Sequence, residues 1–125
     1  MNKARFLIVF FLAAALTACA VGYQARGSLS DVAGELRGKG YPGNAGGGRF
    51  ALQDRDGRLR CDGQAQLAEA SVGPDTCEGE GGTGVLRCTD GRVIPFRWQA
   101  ISCRSWRGAG VDAAGNRLEF SVERR

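Results

Sequence analysis

The chain has 125 residues, 17 basic against 13 acidic side chains, no histidine and a formal charge of +4. That length gives one domain rather than two once a leader is set aside. A charge this small excludes a nucleic-acid footprint. Without histidine, a Ser or Cys nucleophile lacks its usual base, so no enzyme, no catalytic residue and no cofactor are expected.

The chain opens with Lys3 and Arg5, followed by an unbroken apolar run of eleven residues from Phe6 to Leu16. A membrane span needs about 20 such residues, so the run reads as the h-region of a secretory signal, residues 1–18. It closes on Leu16-Thr17-Ala18-Cys19. This box resembles the lipobox of bacterial lipoproteins, which implies acylation of Cys19 and a membrane anchor. Ala20 follows where an inner-membrane retention signal would carry Asp, so the resemblance implies the periplasmic face of the outer membrane. The alternative is a plain signal peptide with an accidental Cys at its cleavage point. Without Lys3 and Arg5 the balance is 15 basic to 13 acidic.

Residues 19–48 read as tether and linker. Ala20 to Gly27 shows no periodicity. Leu29, Val32, Ala33 and Leu36 fall at roughly helical spacing behind Ser28, with Gly34 against a helix there. Gly38 to Gly48 holds six glycines and Pro42, which predicts a loop.

The β-hairpin domain is expected over 49–125. Phe50 and Leu52 share a face, Asp56-Gly57 turns the chain, and Leu59 with Cys61 returns on an apolar face. Asp62-Gly63 reads as the next turn. Gln64 to Val72 is either strand or helix, and Cys77 to Gly84 is loop. A hairpin recipe then occurs twice, its Gly-x-Gly openings at Gly82 and Gly108, 26 residues apart. In the first copy Leu86, Cys88, Ile94, Phe96 and Trp98 face inward around Asp90-Gly91. Pro95 on the outer face predicts an edge or a bulge. In the second copy Leu118, Phe120 and Val122 alternate with polar residues. The fold class is mainly β: an antiparallel hairpin-repeat sheet or a small barrel, stabilised by disulfides.

Gly82, Gly84, Leu86, Asp90, Gly91, Arg92, Trp98, Gly108 and Gly110 match the MORN repeat in order, and the segment resembles that family of stacked hairpins. Ile94-Pro95-Phe96-Arg97-Trp98 departs from the family's Tyr-x-Gly-x-Trp. The resemblance implies a membrane- or protein-facing interaction module. Cys88-Thr89-Asp90-Gly91 also resembles an element of the small envelope lipoproteins that inhibit lysozymes. That likeness implies a binder of a lysozyme-like cell-wall hydrolase.

Cys61, Cys77, Cys88 and Cys103 remain after Cys19, separated by 15, 10 and 14 residues. An even number in an exported domain reads as two disulfides, and the spacing does not suit zinc, so no metal is expected. Asp75, Glu78 and Glu80 lack the spacing of a calcium loop. Four cysteines allow three pairings. In stacked repeats Cys61 and Cys88 are equivalent and lie two strands, about 9.6 Å, apart. A disulfide needs about 7 Å, so Cys61–Cys77 and Cys88–Cys103 are expected. Trp98 is expected in the core. The two tryptophans with Arg97, Arg104 and Arg107 around them read as a sugar- or anion-facing patch, and Trp106 with Arg104 and Arg107 is the candidate binding surface. The function expected is that of an outer-membrane-tethered β lipoprotein with a binding or structural role, its partners the membrane and an envelope protein.

Overall fold

The computed structural model describes residues 22–42, 48–67 and 79–124. They form eight strands: β1 (Tyr23–Leu29), β2 (Leu36–Pro42), β3 (Gly48–Gln53), β4 (Arg60–Leu67), β5 (Gly81–Cys88), β6 (Val93–Ser102), β7 (Ser105–Val111) and β8 (Arg117–Arg124). Each strand pairs antiparallel with its sequence neighbours, and β8 returns to β1 to close a barrel. The expected mainly-β class stands, in its small-barrel form. β3–β4, β5–β6 and β7–β8 are the three hairpins read from the sequence.

Alternation decides which side chains fill the barrel. Phe50, Leu52, Leu86, Ile94, Phe96, Trp98, Leu118, Phe120 and Val122 are buried. Their outward neighbours include Arg87, Arg97, Arg117 and Glu119, all exposed. A polar outside around an apolar inside is the inverse of a membrane-spanning barrel, whose outward band is apolar.

Glycine makes room for the rings. Phe50 lies in register between Gly40 and Gly63, Phe96 between Gly84 and Gly110, and Phe120 between Gly27 and Gly108. A Cβ on Gly63 would stand 2.3 Å from the Phe50 ring, and one on Gly84 the same distance from Phe96. The rings then meet one another: Phe50 stacks on Phe120 at 4.3 Å, and Phe96 meets both edge-on at 5.6 and 4.9 Å. The Gly-x-Gly openings are therefore inward positions of β5 and β7, emptied for cross-strand aromatics.

The same geometry corrects several expectations. Asp62-Gly63 is not a turn but the middle of β4, where Gly63 receives Phe50. Gly38 to Pro42 is not loop but β2. A Cβ at Gly38 would stand 1.7 Å from the Ala51 carbonyl oxygen, so glycine here serves close approach of strands rather than flexibility. Residues 23–27, expected as tether, belong to β1, and the helical spacing over 28–37 spans the β1–β2 turn. The barrel thus begins at Tyr23, not at residue 49. Gln64 to Leu67 continues β4, and β5 begins at Gly81, inside the expected loop. Pro95 is on no edge: it lies one residue before the first β6–β7 pair, Phe96↔Gly110. The β6–β7 irregularity falls instead at Ala100/Ser102.

The disulfide pairing is also overturned. Cys61 bonds Cys88, with Cα atoms 4.0 Å apart. The repeat geometry placed these residues two strands apart. In the barrel β4 and β5 are hydrogen-bonded neighbours, and Cys61 is directly opposite Cys88. Cys61–Cys77 and Cys88–Cys103 are thereby excluded. Cys103 is itself disulfide-bonded, and Cys77 lies outside the described residues.

Candidate functional site

Up-and-down connectivity puts the β1–β2, β3–β4, β5–β6 and β7–β8 turns at one end of the barrel. The three hairpin turns after β3, β5 and β7 carry Gly57, Gly91 and Gly115 at φ of 71°, 93° and 87°. Thr89-Asp90-Gly91 and Ala113-Ala114-Gly115 are matching three-residue loops, closed by Cys88 N–H on the Arg92 carbonyl and Asp112 N–H on the Asn116 carbonyl.

Arg92 ties this end together. Its guanidinium donates to both oxygens of Asp31, at 2.8 and 2.9 Å, and to Asp90 at 2.8 Å. Asp112 stands 4.0 Å away. Asp31 belongs to the β1–β2 turn, four strands around the ring from β5–β6, so the bidentate pair spans the mouth of the barrel. Thr89 links the same turn to the other side, its Oγ1 accepting from the Arg60 N–H at 3.1 Å. Ser30 Oγ accepts from the Arg117 N–H at 2.8 Å, joining the first turn to the last. The hydrogen bond from Arg92 holds the Asp31 carboxyl below the usual carboxylate range. Asp112 is held low first by the side-chain hydrogen bond from Asn116. This end is a structural clasp over a lumen filled with aromatic rings.

A groove of about 970 Å³ instead runs over the outer wall. Two outward rows form it. One passes Arg26, Ser121, Arg107 and Gln99; the other passes Ser28, Glu119, Ala109 and Arg97. Ala109, Ser121, Gly81 and Gly108 keep the floor low between the arginines. Arg97 pairs with Ala109, so Arg97 and Arg107 are diagonal neighbours on adjacent strands. Such positions lie about 7–8 Å apart, within reach of one anionic group. Arg26 is drawn toward Glu35 at 3.7 Å, and Glu35 also meets Arg37 at 3.6 Å. Among the described residues neither Arg97 nor Arg107 has an ion-pair partner.

The candidate surface of Arg104, Trp106 and Arg107 is therefore divided. Arg107 is in the groove and Arg104 is exposed in the β6–β7 turn. Trp106 is not exposed: it is an inward position of β7, 6% exposed, with its ring 5.5 Å from Phe50 and 5.6 Å from Trp98. Its Nε1 is buried with no hydrogen-bond partner among the described residues. Trp98 is in the core as expected, its Nε1 donating to the Gln66 carbonyl at 2.9 Å. Arg97 and Arg107, both in the arginine patch expected from the sequence, meet in the groove across β6 and β7. Sequence reasoning missed Arg26, which joins their wall only because β8 pairs with both β1 and β7. Cys19, Asp75 and Glu78 lie outside the described residues. No protein-family model matches the chain, and no curated protein or solved structure matches it either.

Proposed function

We propose that the protein is a non-enzymatic lipoprotein, tethered by Cys19 to the periplasmic face of the outer membrane, that binds an acidic envelope protein on the outside of its barrel. The observation that carries the binding role is the groove in which Arg97 and Arg107 flank a floor of small residues. A filled lumen leaves no room for a ligand inside, whereas an outer groove accepts an acidic loop without rearrangement. Unpaired guanidinia favour carboxylates, which they grip in a planar fork. The full chain in detergent serves as bait in envelope extract, beside an Arg97→Glu/Arg107→Glu variant. A partner retained by the native protein and weakened by about tenfold or more in the variant, at unchanged thermal stability, supports the reading. Equal retention by both proteins overturns it.

A second reading, binding of a lysozyme-like hydrolase, is favoured by one observation. Cys88 of the Cys88-Thr89-Asp90-Gly91 element is disulfide-bonded in a small closed barrel, matching the likeness to lysozyme inhibitors. Such hydrolases work with paired carboxylates, an acidic target for an arginine-rich surface. Inhibition of lysozyme turnover by the full chain tests it, and undiminished turnover at saturating protein rejects it.

A further inference from the structure

We propose that the barrel sits end-on against the membrane that carries its lipid, with Tyr41, Ile101, Arg104 and Arg124 at the rim that meets the headgroups. The inference rests on the acylation of Cys19 argued above. Only four residues of chain lead from Cys19 to Tyr23. At about 3.3–3.6 Å per extended residue, the first strand begins within about 14 Å of the acylated sulfur. Tyr23 pairs with Arg124, so the rim nearest the anchor is the one where β1 starts and β8 ends. Antiparallel order places the end of β2 and the β6–β7 turn at that same rim.

The side chains there suit a bilayer surface. Tyr41 and Ile101 are large apolar residues left 54% and 48% exposed. They stand on β2 and β6, four strands apart around the ring. Arg104 and Arg124 are joined at this rim, the Arg124 N–H donating to the Arg104 carbonyl at 2.8 Å. An aromatic, an aliphatic and two cations at one rim form the mix that seats at an anionic interface. At the opposite end Asp31, Asp54, Asp56, Asp90 and Asp112 are interspersed with Arg55, Arg58 and Arg92, and Arg92 is tied into the clasp. Val93 and Val111, also exposed, lie toward that far end beside Pro95. Seated this way, the barrel leaves the arginine groove on its side wall open to a partner.

Hydrogen exchange read by mass spectrometry separates this arrangement from a domain tumbling on its tether. The full lipidated chain is compared in vesicles of phosphatidylethanolamine and phosphatidylglycerol with a soluble Cys19→Ser form. In vesicles, peptides over residues 99–105 and 37–42 are expected to exchange several-fold more slowly, while turns 54–59 and 89–92 stay unchanged. A lipidated Ile101→Asp/Arg104→Glu variant is expected to lose that protection while remaining on the vesicles. Equal rates at both ends of the native barrel, or protection of the far turns, overturns the seating alone. Intact mass of the same sample reports acylation separately: a native chain with no acyl group removes the anchor and the seating with it.

Discussion

Phe50 and Gly63 show at the smallest scale how this barrel is specified. The three atoms nearest a Cβ at Gly63 all belong to the Phe50 ring, at 2.3, 2.3 and 2.9 Å. Gly63→Ala must therefore push the ring aside, at a cost of about 1–3 kcal/mol for an overfilled core. A smaller side chain opposite should recover part of that loss, so Gly63→Ala with Phe50→Leu is expected to be less unstable than the two single changes summed. Gly38 is the contrast: its nearest atoms are the backbone of Ala51, and no side-chain change makes room. Gly38→Ala is expected to cost more, without rescue from any neighbour. Chemical denaturation of the five proteins checks both statements, and strict additivity for the Gly63 pair refutes the first. A related comparison separates the two indoles. Trp98→Phe forfeits a hydrogen bond to Gln66, whereas Trp106→Phe removes a donor without a partner among the described residues. Trp98→Phe is expected to be the costlier of the two by about 1 kcal/mol.

Among the elements, the strands with an obvious period were readable and those with glycine were not. Ile94, Phe96 and Trp98, or Leu118, Phe120 and Val122, show their inward face directly. β2 presents Leu36 and then glycine at both of its next inward positions, Gly38 and Gly40, so its alternation has no hydrophobic signal to carry it. The groove had a similar fate, because Arg26 and Arg107 are distant in sequence and share a row only after β8 pairs with both β1 and β7. The disulfide differs for another reason: Cys61 is on the return strand of its hairpin and Cys88 on the first strand of the next, so the two are not equivalent repeat positions, and no strand intervenes between β4 and β5 in the sheet. Cys61 and Cys88 close a 27-residue separation, and the chain-entropy account gives about 3.5 kcal/mol for a loop of that size. A non-reduced digest is expected to yield a peptide linking Cys61 to Cys88. A Cys61→Ala/Cys88→Ala variant should be less stable by an amount of that order.

The clasp at the turn end makes its own prediction, in acid. Asp31 is lowered by its hydrogen bond to Arg92. A depressed carboxylate adds stability that is whole above its unfolded value, near 3.9, and is lost as the pH falls through the lower folded value. Arg92→Gln removes this contribution at neutral pH. The stability gap between native and variant proteins should therefore be widest above about pH 5 and close as the solution is acidified below the unfolded value. Denaturation across that range measures it, and a gap that is independent of pH places the clasp's worth elsewhere. Because the guanidinium is only 18% exposed, salt should screen it less than an ordinary surface pair.

At the scale of the whole molecule, the barrel is a ring in which every contact between neighbouring strands is of one kind. The seam between β1 and β8 has seven register pairs, from Tyr23↔Arg124 to Leu29↔Leu118, as many as the β7–β8 hairpin. Nothing in the sheet marks where the chain starts. A circular permutant that joins residue 124 to residue 22 by a short polar linker, and opens the chain between Asp56 and Gly57, should therefore rebuild the same barrel. Opening one short turn and closing another changes loop entropy only slowly with length, so its stability should fall within about 1–2 kcal/mol of the parent. A second permutant opened between Asp90 and Gly91 cuts the turn that aims Arg92 across the mouth. It should fold to the same strand pairing yet lose the acid-dependent part of its stability. The Cys61–Cys88 link, circular dichroism and denaturation at neutral and acid pH report on both proteins. If the first permutant fails to fold, the seam is not equivalent to the hairpins, and chain order is part of what specifies the ring.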